Sequence, residues 1–284
     1  MDLGRFGIWW SGWQEDDGYV QAAAEMEEVG YGTLWMSGGF VPGIPKRTGE
    51  LLAATTRITV ATGITNVWIN TASEAAAFAT ALEEEHGGRF LLGLGVSHAA
   101  IVEANGQPYV HPLGKMREFL DELDADGRVG KPQRILAALG RNMLGLAAER
   151  SLGAHPYFST VEHTAFARAI LGPSPILAPE VAVVVSSDPA EARGLARRYM
   201  ELYLSAPNYV NNLLSLGWTA EDVAGSGSDE LVDALIPWGD VESIAERLEE
   251  HREAGADHVC VQIVTETGMF PLDDYRELAI ALGL

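Results

Sequence analysis

The stretch that most constrains the fold of this chain is Arg57–Asn66, with the sequence RITVATGITN. Its β-branched and small residues alternate with a period of two, which predicts a β-strand. The stretch carries almost no charge, as expected of a strand that is buried on both faces of a parallel sheet. It ends in a glycine and small polar residues, and Ser73–His86 is then predicted as a helix. We therefore expect the carboxyl end of this strand to open into a loop, where β/α barrels carry their chemistry.

The same unit of strand, loop and helix recurs along the chain. Eight strands are predicted, at Phe6–Trp10, Thr33–Met36, Arg57–Asn66, Arg89–Gly95, Arg134–Leu139, Ala154–Phe158, Pro179–Val185 and His258–Val264. Eight strands that alternate with helices over 284 residues predict an α/β protein with a (β/α)8 TIM barrel. The alternative is an open doubly wound sheet, which needs a glycine fingerprint after its first strand. Only Ser11-Gly12-Trp13 stands there, so the barrel is favoured.

A single domain is expected to span residues 1–284. The stretch Ala190–Gly239 contains more predicted helix than one crossover connection needs. Its extra pieces, Ala206–Gly217 and Ser228–Ile236, predict a helical insertion over residues 206–236. The insertion precedes the last crossover helix, Val241–Ala254, and is expected to act as a lid or an interface.

Composition narrows the classes of function. With 19 basic and 40 acidic side chains the formal charge is −21, which argues against a protein that binds nucleic acid through its phosphates. No run of about 18 uncharged apolar residues occurs, so no membrane span is predicted. The single cysteine, Cys260, lies in an apolar run and is predicted to be inert core. Without a possible intramolecular disulfide or a signal peptide at its start, the chain is expected to be cytoplasmic.

The residues just past each predicted strand carry most of the functional information, because barrel enzymes place their active sites there. They are Trp9, Trp10 and Ser11; Ser37 and Gly38; Gly63, Ile64 and Asn66; Ser97 and His98; Leu139 and Gly140; Ser159 and Thr160; Ser186 and Ser187; Thr265 and Glu266. None is a lysine, so a Schiff-base aldolase would lack its nucleophile. Only His98 and Glu266 could ligate a metal, so no metal site is predicted.

Glycines, hydroxyls and aromatic rings remain, and they suit a large planar ligand with a phosphate. Gly140 precedes a predicted helix whose first N–H groups are free to bind an anion, and Arg141 adds positive charge. Ser159 and Thr160 stand in the same position one unit later. The alternative for Thr160 is that it only caps its helix.

His98 is the candidate for proton transfer, because it follows a barrel strand directly. A lone loop histidine can also be merely solvated or structural, and only its position favours the functional interpretation.

Aromatic and polar residues at other strand ends predict a substrate pocket. The candidates are Trp9, Trp10, Trp13, Ser37, His155 and Tyr157. The tryptophans could instead fill the barrel mouth, and Tyr157 could belong to the core.

Eight segments together resemble a known family. In chain order they are FGIWW, TLWMS, VATGITNVW, GRFLLGLGVSHA, RILAALG, GAHPYFSTVEHT, YLSAPNYVNNLLSLGW and HREAGADHVCVQ. Their order resembles the luciferase-like monooxygenase superfamily, in particular its actinobacterial branch of F420-dependent oxidoreductases. The resemblance covers essentially the whole chain.

The resemblance implies a barrel that holds a deazaflavin, or a flavin, at its carboxyl-terminal mouth. It implies a non-prolyl cis peptide at the end of the third strand, which corresponds to Gly63–Ile64, with Asn66 beyond it among the cofactor-binding residues. Val96 and Ser97 would flank the ring. The phosphate arm would be held by Ala138, Leu139, Gly140, Ser159 and Thr160. Relatives usually dimerise, so a homodimer is expected.

Two positions depart from the sugar-phosphate dehydrogenases of this family. Those enzymes have an acidic residue or histidine where Ser37-Gly38 stands, and a glutamate acid where His98 stands. A sugar phosphate is therefore disfavoured as substrate, and the proton-handling role is assigned to His98.

The leading hypothesis is an oxidoreductase that uses coenzyme F420 to move a hydride to or from a small organic substrate. The main alternative is an FMN-dependent monooxygenase of the same superfamily, supplied with reduced flavin by a separate reductase. A third alternative is a protein that binds a flavin or deazaflavin without catalysis.

Overall fold

The computed structural model describes residues 1–10, 18–37 and 43–284. These residues form one sheet of parallel strands with helices around it. The strands are β1 Phe6–Trp10, β2 Thr33–Ser37, β3 Thr59–Gly63, β4 Thr65–Asn66, β5 Phe90–Gly95, β6 Arg134–Leu136, β7 Gly153–Ala154, β8 Ile176–Leu177, β9 Glu180–Val185, β10 Trp238–Gly239 and β11 Val259–Ile263. The helices are α1 Tyr19–Glu28, α2 Ile44–Ala54, α3 Ala72–His86, α4 Ala99–Ala104, α5 Pro112–Asp126, α6 Arg141–Arg150, α7 Val161–Leu171, α8 Pro189–Leu204, α9 Pro207–Ser215, α10 Asp229–Leu235, α11 Val241–Glu253 and α12 Leu272–Ala281.

The strands close into the predicted (β/α)8 barrel. Parallel pairing runs from β11 through β1, β2, β3, β5, β6 and β7 to β8. β8 and β9 are successive pieces of one segment, and β9 pairs in turn with β11. This segment also stays bonded to the sixth unit, because Ala178 N donates to Ala154 O at 2.9 Å and Glu180 N donates to Pro156 O at 2.8 Å. The ring therefore has eight members, with β8 and β9 counted as one.

The structure differs from the predicted elements at several points, one of which is the fifth predicted strand, Arg134–Leu139, which ends at Leu136. The third strand is divided, since β3 ends at Gly63 and pairing resumes at β4, which pairs with β5. The sixth strand ends at Ala154 instead of Phe158. Pro156 has no N–H for strand pairing, and Phe158 has a φ of 53°, which is not extended. The short helix α4, which begins just after His98, was not predicted.

The predicted insertion is formed by α9 and α10. Both helices pack on α8 and on the outer part of β9 through a separate apolar cluster, which includes Val184, Met200, Leu213 and Leu231. None of the helices in residues 1–10, 18–37 and 43–284 has the length and apolar character needed to cross a bilayer.

One buried carboxylate fixes the entry to β3. Glu27, near the end of α1, is 9% exposed and accepts hydrogen bonds from the backbone N–H groups of Thr56, Arg57 and Ile58. Burial raises the pKa of this carboxyl, but the N–H donors outweigh burial and lower it to about 2. Glu27 therefore links α1 to the strand that ends at the candidate site.

Replacing Glu27 with Gln is expected to lower the free energy of unfolding at neutral pH by about 2–3 kcal/mol. The three backbone N–H donors would then face a neutral amide instead of an ionised carboxylate. The folded-state pKa of Glu27 lies below its ordinary value of 4.5. Its contribution is therefore complete above pH 4.5 and is lost as the pH falls through about 2. Denaturant unfolding across this range, with the neighbouring exposed Glu28→Gln as control, checks this. Equal stability and equal acid sensitivity of Glu27→Gln and the parent would contradict it.

Candidate functional site

A cavity of about 880 Å³ opens at the carboxyl ends of the barrel strands. We call it the main cavity. Its walls come from the ends of β1, β2, β3, β5 and β6, the loop after β7, and one face of α9. Its size is in the range of sites that enclose a cofactor-sized organic ligand.

Many residues that the sequence predicted as site residues lie together on this wall. They are Trp9, Ser37, Gly63, Ile64, Val96, Ser97, His98, Ala138, Leu139, Gly140, His155 and Tyr157. They come from six different strand ends, so the barrel, rather than proximity in the chain, brings them together.

Two other predicted site residues, Trp10 and Asn66, lie away from the main-cavity wall. Trp10 is 2% exposed, stacks on Phe270 at 4.2 Å and lines a second, smaller cavity of about 330 Å³ instead. Asn66 is fully buried, and its Oδ1 accepts from Trp68 N at 2.8 Å, which shapes the turn after β4. Trp13 lies outside the described residues.

Ser159 and Thr160 are also absent from the cavity wall. Thr160 is fully buried, and its Oγ1 accepts from His163 N at 3.4 Å, so it caps α7. The alternative foreseen for Thr160, a helix cap, is therefore what its contacts show. Ser159 is 3% exposed, and its Oγ has no hydrogen-bond partner in the described part of the chain.

The wall beside β1 depends on Gly63, which has no side chain. The peptide Gly63–Ile64 is cis, as the family resemblance implied. A Cβ on Gly63 would lie 2.2 Å from Trp9 Cζ3, so the Trp9 indole occupies the space that any other residue would fill. In the same way, a Cβ on Gly95 would lie 2.6 Å from Ile64 Cγ1. These two glycines allow Trp9 and Ile64 to stand side by side at the barrel mouth.

The loop after β5 is held by two hydrogen bonds to its carbonyl groups. Trp68 Nε1 donates to Val96 O at 2.9 Å, and the Tyr109 hydroxyl donates to Ser97 O at 3.2 Å. Ser97 has a φ of 55°, a left-handed conformation that a serine adopts only when its surroundings impose it. This backbone turn directs His98 into the main cavity.

His98 is partly buried on the cavity wall. Burial lowers its pKa, and a hydrogen bond with the side chain of Asn208 raises it in part. Its Nδ1 has no partner among the described residues, and its ring lies 5.3 Å from that of Tyr209. The imidazole is therefore neutral at neutral pH, and its Nδ1 is a buried nitrogen without a partner in the described part of the chain.

A stack of rings forms the floor of the cavity. His155 lies 4.0 Å from Trp35 with an interplanar angle of 7°, and 5.5 Å from Trp9 on its other side. Its Nδ1 donates to Ala178 O at 2.6 Å, so the proton of the neutral ring is on Nδ1. Burial lowers the pKa of His155 to about 3, and its Nε2 is an acceptor without a partner in the described ranges.

The opposite end of the cavity suits an anion. Gly140 is the N-cap of α6, and no atom lies within 4 Å of where its Cβ would be, so this backbone is open to a ligand. The first N–H groups of α6 and the Arg141 guanidinium supply positive charge. The carbonyl of Leu139 is fixed by His163 Nε2, which donates to it at 3.0 Å. Among the described lining residues, Arg141 is the one formally charged side chain at neutral pH.

Sequence reasoning missed the polar face of α9. Asn208, Asn211, Asn212 and Ser215 line the main cavity, and their spacing of i, i+3, i+4 and i+7 puts them on one side of the helix. Asn212 is 8% exposed, and its Nδ2 has no partner among the described residues. This spacing in NYVNNLLS was the available signal.

Tyr203 and Gln262 also line the main cavity without having been predicted. Within the described ranges, no three His, Cys, Asp or Glu side chains are grouped so that they could hold a metal ion.

The chain belongs to the luciferase-like monooxygenase family, whose model matches residues 14–258. A Mycobacterium tuberculosis protein, named as a candidate coenzyme F420-dependent oxidoreductase, is 30% identical over 128 residues. That match covers 43% of this chain and 35% of the relative, so it spans about a third of the relative's length.

Solved structures share the fold over nearly the whole chain. An F420-dependent secondary alcohol dehydrogenase bound to an F420–acetone adduct has a TM-score of 0.76 at 16% identity, with 99% of both chains covered. The F420-dependent tetrahydromethanopterin reductase of Methanopyrus kandleri has a TM-score of 0.77 at 16% identity, with 98% of both chains covered. The FMN-bound oxygenating component of 3,6-diketocamphane monooxygenase from Pseudomonas putida has a TM-score of 0.72 at 15% identity, with 98% of this chain and 96% of that chain covered.

Gly63→Ala is expected to lower the free energy of unfolding by about 1–3 kcal/mol, because the new methyl group overlaps the Trp9 ring. The matched control is Gly49→Ala in α2, where the nearest atom is Leu82 Cδ2 at 3.9 Å. This control is expected to be neutral or to gain up to about 1 kcal/mol through helix propensity. Denaturant unfolding of both variants provides the comparison, and a Gly63→Ala protein as stable as the parent would refute the packing argument.

Asn208→Leu is expected to lower the pKa of His98 further, because it removes the hydrogen bond that now raises it. The control is Asn211→Leu on the same face of α9, which should leave the pKa of His98 near its parental value. Proton NMR titration of the His98 ring measures both. A His98 pKa that is unchanged or raised in Asn208→Leu would show that the hydrogen bond does not act on this ring.

Proposed function

We propose that this protein is an oxidoreductase that uses coenzyme F420 to transfer a hydride to or from a small, uncharged organic substrate. The observation that carries this proposal is the division of the main cavity. One end has an open helix N-terminus and Arg141, and the other has neutral rings, amides and hydroxyls. A cofactor with a planar ring and a phosphate arm fits the first part and leaves the second part for a substrate.

The residues present fit such a cofactor. Ile64 and Val96 offer apolar surface to one edge of a ring, and the segment Ala138–Gly140 leads from there to the start of α6. Gly140 leaves room for a phosphate beside the free N–H groups of α6, and Arg141 would neutralise its charge. When bound, the deazaflavin would supply the hydride chemistry, and the protein would supply orientation and proton handling.

His98 is proposed to exchange a proton with the reacting group. It is neutral, faces the cavity and has an unpartnered Nδ1. A neutral imidazole accepts a proton when a substrate is oxidised. The lowered pKa of His98 keeps it in this basic form over a wider pH range.

Titration of the purified protein with F420 and with FMN, followed by absorbance and fluorescence, tests the choice of cofactor. We expect saturable binding of F420. Tight binding of FMN without binding of F420 would replace this proposal with the flavin-dependent monooxygenase. That alternative is supported by the shared fold of the FMN-bound Pseudomonas putida enzyme.

Ile64→Asp is expected to weaken F420 binding by at least about tenfold, because it places a charge against the apolar ring surface. The matched control is Ile69→Asp, because Ile69 is 39% exposed and does not line the main cavity. Unchanged affinity in Ile64→Asp, or an equal loss in Ile69→Asp, would mean that the ring does not bind at this wall.

A further inference from the structure

Three tyrosine hydroxyls meet at one point beneath the substrate end of the main cavity. The hydroxyl of Tyr157 lies 2.8 Å from that of Tyr199 and 2.9 Å from that of Tyr203. Tyr157 also donates to Gln262 Oε1 at 3.0 Å. We call these four residues, together with Glu180, the tyrosine cluster.

The tyrosine cluster separates the two cavities. Tyr157, Tyr203 and Gln262 line the main cavity, whereas Tyr199 and Gln262 line the smaller second cavity. The second cavity is also lined by Arg198 and Glu266, whose side chains are 61% and 83% exposed. The cluster therefore connects the substrate end of the main cavity with a cavity whose rim meets solvent.

Glu180 is the buried end of the cluster. It is 1% exposed at the start of β9. Its Oε1 lies 3.4 Å from Tyr199 Oη, and its Oε2 accepts from Phe158 N at 3.5 Å. Burial raises its pKa to about 8, although these two donors oppose the rise. A carboxyl in this environment carries a proton at neutral pH.

The groups that face Glu180 do not offer it a counter-charge. The described titratable groups that interact with it are all weak acids: Tyr157, Tyr199 and Tyr203 of the cluster, Tyr209 of α9, Cys260 of β11 and Tyr275 of α12. An ionised carboxylate would gain little from them. A purely structural role would be served as well by an amide or a thioether of similar size, so the carboxyl needs another explanation.

We propose that Glu180, Tyr199 and Tyr157 form a proton relay that exchanges the proton accompanying hydride transfer with an oxygen of the substrate. This inference rests on the proposed function, but it gives the proton exchange to Tyr157 in place of His98. It also names the substrate class: an uncharged carbonyl compound or the corresponding alcohol. Both have an oxygen that can hydrogen-bond to a hydroxyl at the polar end of the cavity, where the described lining offers no charged partner.

The proton transfers along the relay can run in both directions of the reaction. In reduction, a bound reduced deazaflavin would supply the hydride to the carbonyl carbon. The Tyr157 hydroxyl would turn from Gln262 Oε1 to the substrate oxygen and give it a proton. Tyr199 returns a proton to Tyr157, and Glu180 returns one to Tyr199. Solvent in the second cavity then reprotonates Glu180 through Tyr199, which lines that cavity. In oxidation, each proton moves the opposite way. Tyr157 is the catalytic residue, and Tyr199 and Glu180 act through it.

The first experiment needs neither cofactor nor substrate. The carboxyl stretching band of Glu180 is identified as the infrared band that is missing in Glu180→Gln, and it is followed against pH. We expect a protonated carboxyl at neutral pH that titrates near pH 8 and that shifts in Tyr199→Phe. A Glu180 that is ionised throughout about pH 6–9, or whose titration ignores Tyr199→Phe, would overturn the relay.

The second experiment follows deazaflavin absorbance during reduction of a panel of ketones and aldehydes, across pH. In the parent, the rate should fall as the pH rises through the pKa of Glu180, because the acid form is lost. Glu180→Gln, Tyr199→Phe and Tyr157→Phe should lower kcat at least about tenfold with little change in KM, and Glu180→Gln should flatten the pH profile. The control Tyr31→Phe removes a buried hydroxyl that is bonded to Tyr275 O at 3.0 Å and has no hydrogen bond to the tyrosine cluster, and it should resemble the parent.

The outcomes separate the relay from the proposed function. A Glu180→Gln enzyme with the parental rate and pH profile would overturn the relay and leave the F420-dependent function standing. A parent that binds F420 but reduces no carbonyl compound would overturn the substrate class that the relay names. A parent that does not bind F420 would overturn the proposed function, and the infrared titration would still decide whether Glu180 and Tyr199 share a proton.

Discussion

The site depends on the packing of the Trp9 indole into the space beside Gly63. This contact puts the end of β1 against the end of β3, and it leaves the Ile64 side chain on the cavity wall, next to Gly95. Trp9 also covers His155, which in turn stacks on Trp35. Three rings thus close the interior of the barrel and provide a flat floor, so that a ligand can bind above the strands but cannot enter between them.

Electrostatics divide the cavity above that floor. Positive charge is confined to the start of α6 and Arg141, while burial keeps His98 and His155 neutral. The overall charge of −21 would repel anions, so a phosphate-bearing ligand depends on this local arrangement. The remaining wall is apolar or hydrogen-bonding without charge, which favours an uncharged substrate. A cofactor and a substrate of these kinds would occupy different parts of one cavity without competing.

The barrel and much of its rim could be predicted from the sequence, because strand periodicity and small residues after each strand are local signals. Gly63–Ile64 was predicted through the family resemblance, and the structure has this bond in the cis form. The predictions for Ser159 and Thr160 relied on their position alone, and burial of both side chains removes them from the wall. The polar face of α9 and the tyrosine cluster depend on how a distant insertion and α8 fold over the barrel. Tyr157 and Tyr199 are 42 positions apart, and no local pattern links them.

We propose that the main cavity holds a deazaflavin with its ring against Ile64 and Val96 and its phosphate at the start of α6. A crystal structure of the protein soaked with oxidised F420 would test this placement. We expect electron density for the phosphate beside the Gly140 backbone and Arg141, and for the ring between the Gly63–Ile64 wall and the asparagine face of α9. Density for the cofactor outside the main cavity, or with the phosphate at the tyrosine cluster and the ring near Arg141, would contradict it.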